Sequence, residues 1–195
     1  MSDTASVYVQ DHSFVLGDAD AETPFEAMDY STGVAGVMQS AALLYAGVDR
    51  GYVTVSVDAA EARPALETPQ QWTALAEWDD VAEISLEIPN GELRVDQLEY
   101  RPGETRIELP VLSAAGPGSY RVRIHASGRD RHFDQAVDDS GESFHLVVWP
   151  QPPAPPLIIK ATSACGYGLR LNQNARSAAP SAETAAGDQR NQDER

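Results

Sequence analysis

Short runs that alternate apolar and polar residues constrain this chain more than any other feature. Residues 52–57 read YVTVSV. Ile84, Leu86 and Ile88 alternate with Glu83, Ser85 and Glu87. In residues 119–130, SYRVRIHASGRD, one parity holds Tyr120, Val122, Ile124 and Ala126, and the other holds Arg121, Arg123 and His125. Successive side chains of a strand point to opposite faces, so each run is a strand with one apolar side. A chain with several such strands must cover those sides. Two sheets packed face to face do so.

Turn signals divide the rest into similar pieces. Residues 6–16 carry Tyr8, Val9, Phe14 and Leu16, with an interruption near Asp11. Residues 17–33 are polar and read as a loop, from which Phe25 and Met28 reach toward the core. Residues 36–48 suit a strand better than a helix, because Gly36 and Gly47 bracket them and a clear strand follows at 52–57. Residues 49–51, Asp-Arg-Gly, read as a hairpin turn into the next strand. Pro89, Asn90 and Gly91 form a second turn signal, which makes 81–95 a hairpin. Residues 106–112, 118–127, 142–149 and 157–160 read as further strands, and 128–141 as a charged loop. One short helical turn is expected over 69–76, where Thr68 caps and Pro69 occupies the first position. Beyond Leu171 the sequence has no apolar periodicity.

The expected fold is therefore all-β: an antiparallel β-sandwich of eight or nine short strands over residues 6–165, followed by a flexible, disordered polar tail over 166–195. The chain has 195 residues, 42% of them hydrophobic, enough for one domain of this kind. Cys165 stands alone, so no internal disulfide framework forms. The first residues have no basic and apolar leader pattern, and no apolar run has the length of a bilayer span. The expectation is a cytoplasmic protein that does not engage membrane.

Charge is the second constraint. The net charge is −16, and residues 1–110 carry all of it, while 111–160 and 161–195 are each balanced. Such a field repels nucleic acid and favours a basic protein partner. Asp79, Asp80, Glu83, Glu87 and Glu92 lie along the 81–95 segment and its approach. As a row on one surface they are the candidates for contacting that partner.

The basic strand at 119–130 raises the alternative. Arg121, Arg123, His125, His145 and Trp149 share a face if strands 118–127 and 142–149 are neighbours. That face suits a small anion or a carbohydrate, as a binding site or an enzyme, better than a metal, because two arginines oppose a cation. The plainer reading is a wetted sheet face whose arginines answer the glutamates of adjacent strands. Catalysis has little support. The glutamates lack the asymmetry that acid–base pairs need, there is no G-x-S-x-G, and no histidine or cysteine pattern has metal-ligand spacing. No cofactor motif is present.

The order NGELRV, ELP, GPGSYRVRIHASGRD and ESFHLVVWP resembles a β-rich family of high-GC bacteria and, more remotely, the competence protein J family of DNA-entry nuclease inhibitors. The resemblance implies a non-catalytic protein that blocks an enzyme by binding it, in the manner of an inhibitor or immunity protein. It transfers no functional residue to this chain.

Overall fold

The computed structural model describes residues 2–21, 28–100 and 106–178. Among them the chain forms ten strands. A six-stranded sheet contains β1 (Asp3–Val9), β5 (Arg50–Ala59), β9 (Ala136–Pro150), β8 (Gly118–Ser127), β6 (Asp80–Ile88) and β10 (Leu157–Ala161), in that spatial order. A four-stranded sheet contains β3 (Ala35–Val37), β4 (Ala41–Tyr45), β2 (Ser13–Gly17) and β7 (Arg94–Asp96), again in spatial order. All pairings are antiparallel except β5 with β9, which run parallel.

The core lies between the sheets and is built by the expected alternation. Val53, Val55 and Val57 of β5, Ile84, Leu86 and Ile88 of β6, and Tyr120, Val122 and Ile124 of β8 point inward. Phe14, Leu16, Ala42 and Leu44 meet them from the smaller sheet. Phe14 and Phe144 touch edge to face across the gap, with ring centres 5.0 Å apart. Such a pair contributes about 1 kcal/mol beyond its burial. The outer face of the small sheet carries a second cluster of Met38, Ala41 and Leu43, joined by Met28. Phe25 lies outside the described residues.

Neither expected hairpin turn makes a hairpin. Residues 46–49 lead from β4 in the small sheet to β5 in the large one, and Arg50 and Gly51 of the expected turn already belong to β5. Residues 89–93 lead from β6 in the large sheet to β7 in the small one, and the break after Val9 likewise separates β1 from β2. Alternation specifies which face a strand buries. It does not specify its neighbour, and two strands that bury against each other across a core read like two that pair. Residues 106–112 form no strand; Leu109 and Leu112 are buried from irregular chain. Part of the expected loop 128–141 belongs to β9, which begins at Ala136.

The helical turn forms as expected. α1 (Pro69–Ala74) is followed by a 3-10 turn at Leu75–Glu77. Thr68 Oγ1 accepts from Gln71 N, and Gln71 Oε1 accepts from Thr68 N, a reciprocal capping box. A second helix was not expected. α2 (Ala164–Ala178) begins one residue before the boundary drawn at 165, so the segment after 165 is helical up to 178. The signal is weak because Gly166 and Gly168 interrupt its first turns, and glycine opposes helix. Residues 179–195 lie outside the described set.

Candidate functional site

The second face of β8 is not wetted. Arg121, Arg123 and His125 are buried, and so is Glu83 opposite them on β6. The β6–β8 register sets Glu83 directly across from Arg123. Arg123 donates to Glu83 Oε1 from Nε at 2.9 Å and Nη2 at 2.8 Å, and Arg121 Nη2 donates to Oε2 at 3.3 Å. Arg63, on the segment after β5, is the third arginine to donate, from Nε at 3.2 Å. Burial works to raise the Glu83 pKa, but the hydrogen bonds and charges of Arg123 and Arg63 prevail and hold it below the usual carboxylate value.

Two irregular segments cover this network. Arg121 Nη1 donates to the carbonyls of Ala154 and Pro155, at 2.8 and 3.1 Å, in the proline-rich run after β9. Arg123 Nη2 donates to the Pro64 carbonyl at 2.8 Å, and its guanidinium lies 5.7 Å from the Trp149 ring centre. His125 and His145 are register partners, with rings 5.2 Å apart and Trp78 beside both. His125 Nδ1 donates to the His145 carbonyl at 3.0 Å, while His145 Nδ1 lies 2.9 Å from Ser56 Oγ. Burial pushes the His125 pKa down to about 4, so its imidazole is neutral.

The structure therefore brings Arg121, Arg123, His125, His145 and Trp149 together on one face, as register reasoning expects, and buries all of them but His145, which stays partly exposed 3.6 Å from Asp58. The arginine donors bind Glu83 and backbone carbonyls rather than a ligand. The anticipated cleft is replaced by an internal polar spine. Among the described residues, no group of three or more His, Cys, Asp or Glu side chains is placed to hold a metal.

The acidic row is divided as well. Glu83 and Asp80 are internal. Asp80 pairs with Arg129 and receives Ser163, and its Oδ1 accepts from Thr162 N at 3.0 Å. Burial would raise its pKa, but the Arg129 charge and these hydrogen bonds lower it. Asp79 Oδ2 accepts from Gly128 N at 2.8 Å, and Glu87 accepts from Ser119 Oγ at 2.9 and 3.0 Å. Of the five only Glu92 is exposed, and Arg94 lies 3.9 Å from its carboxylate. The five residues form no contiguous outer surface, because β6 is an interior strand of the large sheet and β8 and β10 supply its partners.

Sequence reasoning missed a cluster around Arg129. Arg129 is wholly buried and donates to the carbonyls of Gly33 at 3.0 Å and Tyr45 at 3.1 Å, joining the small sheet to Asp80 and to the start of α2. Glu142, also buried, accepts from Gly47 N at 2.9 Å and Val48 N at 2.8 Å. Gly47 was the available signal. A Cβ there would stand 1.7 Å from the Arg129 carbonyl oxygen, so this close approach of two chain segments requires glycine. Ser163 Oγ accepts from Gly166 N, and the Asp130 carboxylate accepts from Ala164 N and Cys165 N, both at 2.9 Å. These contacts satisfy the first free amides of α2 and fasten it to the 128–134 turn.

Around that turn lies an acidic end of the molecule. Asp130, Asp134, Asp138 and Asp139 are exposed. Asp11 and Asp49 join them, held by Arg50, which lies 3.6 and 3.7 Å from their carboxylates. Residues 111–160 are neutral in sequence, but Arg121, Arg123 and Arg129, three of their five bases, are inside. Burial thus turns a balanced segment into an acidic surface.

No family model matches the chain. No curated protein matches it. Among solved structures, the chain resembles ComJ from Bacillus subtilis, described as an inhibitor of the DNA-degrading activity of NucA. That match has 11% identity and a TM-score of 0.44, and covers 77% of this chain and 98% of ComJ.

Proposed function

We propose that the protein is a non-catalytic binding module that captures a basic protein partner through the acidic end formed by Asp11, Asp49, Asp130, Asp134, Asp138 and Asp139. One observation carries the reading: three arginines of the segment that supplies most of this end are buried, so its exposed carboxylates outnumber the exposed cations beside them, Arg50 and Arg131. A field of one sign speeds encounter with the opposite sign and repels nucleic acid. An enzyme that acts on nucleic acid must present a basic surface to its substrate. A nuclease is accordingly the partner class proposed, and inhibition would follow from covering that surface.

The test starts from the cells that make the protein. Their extract is fractionated by cation exchange, and each fraction is assayed for DNA and RNA degradation with and without the purified chain. The expected result is one nuclease activity lost at stoichiometric protein and regained with Asp138→Lys/Asp139→Lys. A protein that leaves every nuclease fraction untouched at low salt would overturn the inhibitor reading.

A further inference from the structure

A cleft of about 300 Å³ opens beside the acidic end, between the 128–134 turn and the first two turns of α2. Tyr45 and Phe133 form one wall. Cys165, Gly168 and Leu169 form the other, and Asp130 lies at the junction. His12 stacks on Tyr45 with ring centres 5.0 Å apart and contacts Asp134 at 3.4 Å. Phe133 keeps half of its surface in solvent, an unusual exposure for so large an apolar side chain.

The two glycines at the start of α2 differ in their surroundings. Gly166 is needed for packing, because a Cβ there would stand 2.9 Å from Arg129 Nη2 and 3.0 Å from the Gly33 carbonyl oxygen. Gly168 meets nothing within 4 Å of a built Cβ. A glycine inside a helix weakens it by about 1 kcal/mol relative to alanine. At position 168 no packing constraint compensates, and the effect of the missing side chain is an unfilled cleft.

Acidic side chains gather around the cleft, Asp130 at its edge among them. Near the Cys165 thiol stand Glu142, Asp130 and Asp80 together with Arg129, and Arg170 of the same helix turns away to the Thr32 carbonyl. Arg131, in the same turn, donates toward the Gly141 carbonyl. Each Asp130 oxygen accepts one backbone amide and retains a lone pair for another donor. An apolar slot with aromatic walls and a carboxylate at its edge fits a side chain with an aliphatic stem and a planar, weakly hydrated cation.

We propose that this cleft is the socket for an arginine side chain of the basic partner, with its stem against Leu169 and Phe133 and its guanidinium at Asp130 and the aromatic rings. The proposal rests on the partner-binding reading above and adds an anchor to its charged surface, as small clusters of aromatic and arginine contacts dominate many interfaces.

The probe is the peptide acetyl-Gly-Arg-Gly-amide, titrated into the labelled full chain and followed by NMR at the Gly168 amide and the Phe133 ring. Its citrulline counterpart is the neutral control. Binding should shift both signals, and the citrulline peptide should bind at least tenfold more weakly. Gly168→Leu, which fills the cleft and favours the helix, should melt no lower than the natural protein and lose the shifts. Shifts that persist in Gly168→Leu, equal binding of citrulline, or no shift at Gly168 and Phe133 would each overturn the socket. Nuclease inhibition in the assay above separates the two readings. Full inhibition by Gly168→Leu overturns the socket and leaves the acidic surface standing. Loss of inhibition only in Asp138→Lys/Asp139→Lys does the same. The absence of any inhibited nuclease removes the surface reading, while the peptide titration still decides the socket.

Discussion

Arg123 clasps Glu83 through two nitrogens, at 2.9 and 2.8 Å, with both side chains almost completely out of solvent. Arg121 holds the other carboxylate oxygen. One buried anion thus answers two buried cations. Glu83→Gln leaves both guanidiniums in place and takes the charge away. The expected loss is about 3–5 kcal/mol, the range for breaking one side of a buried ion pair. Urea denaturation followed by far-ultraviolet circular dichroism measures it. A loss below 1 kcal/mol would mean that the backbone carbonyls of Pro64, Ala154 and Pro155 suffice to hold the arginines.

His125 makes stability depend on pH above the carboxylate range. Its folded pKa of about 4 lies below the ordinary value of 6.5, so the unfolded chain binds the extra proton between those values. Stability should fall as pH drops from about 6.5 toward 4, by up to about 3 kcal/mol from this group. Asp80 and Glu83, whose folded pKa values are lowered, lose their contributions at lower pH still. His125→Gln should reduce the slope between pH 6.5 and 4, leaving the part due to His145, whose pKa burial also lowers. An unchanged slope in that window would show that the imidazole is hydrated.

Cys165 should resist modification despite lining the cleft. Burial pushes its thiol up to about 11; Arg129 opposes this, and Glu142, Asp130 and Asp80 add to it. Because the thiolate is the nucleophile, alkylation at pH 8 should run about 100-fold slower in the native protein than in denaturant. Iodoacetamide labelling followed by mass spectrometry gives the ratio. Comparable rates would mean that the first turn of α2 opens readily.

Asp130 fastens α2 by accepting two of its first amides. Asp130→Ala should cost about 1 kcal/mol, the usual value of a capping side chain, with the damage local to the helix. Hydrogen exchange should quicken at residues 164–170 and stay unchanged in β5, β8 and β9. Acceleration throughout the large sheet would contradict this local role.

The faces of β5, β6 and β8 were legible in the sequence because period-two alternation states which residues a strand buries. The antiparallel pairing of β8 with β9 was legible too, but the hairpins read at 36–57 and 81–95 were not pairs. Residues 89–93 look like a hairpin turn and instead cross between sheets, and local chemistry is the same in both cases. The shared face of Arg121, Arg123, His125 and His145 was legible from strand order. Its burial was not, because the covering segments around Pro64 and Pro155 have no periodicity that marks them as a lid. The acidic row at 79–92 failed for the complementary reason: charge counted along the chain does not reveal which arginines are inside. Only Gly47 hinted at the Arg129 cluster, and a lone glycine has many uses.

The central claim concerns where the acidic surface lies, and an association rate tests it directly. The partner is the nuclease recovered by the inhibition assay, and stopped-flow mixing measures its association rate constant across ionic strengths. The account predicts that Asp138→Lys/Asp139→Lys slows association by about tenfold or more at low salt and flattens its salt dependence. Glu87→Lys/Glu92→Lys, on the row that does not form a contiguous surface, should stay within about twofold of the natural protein. An equal or larger effect from the Glu87 and Glu92 pair would place the contact on the other side of the molecule and contradict the account.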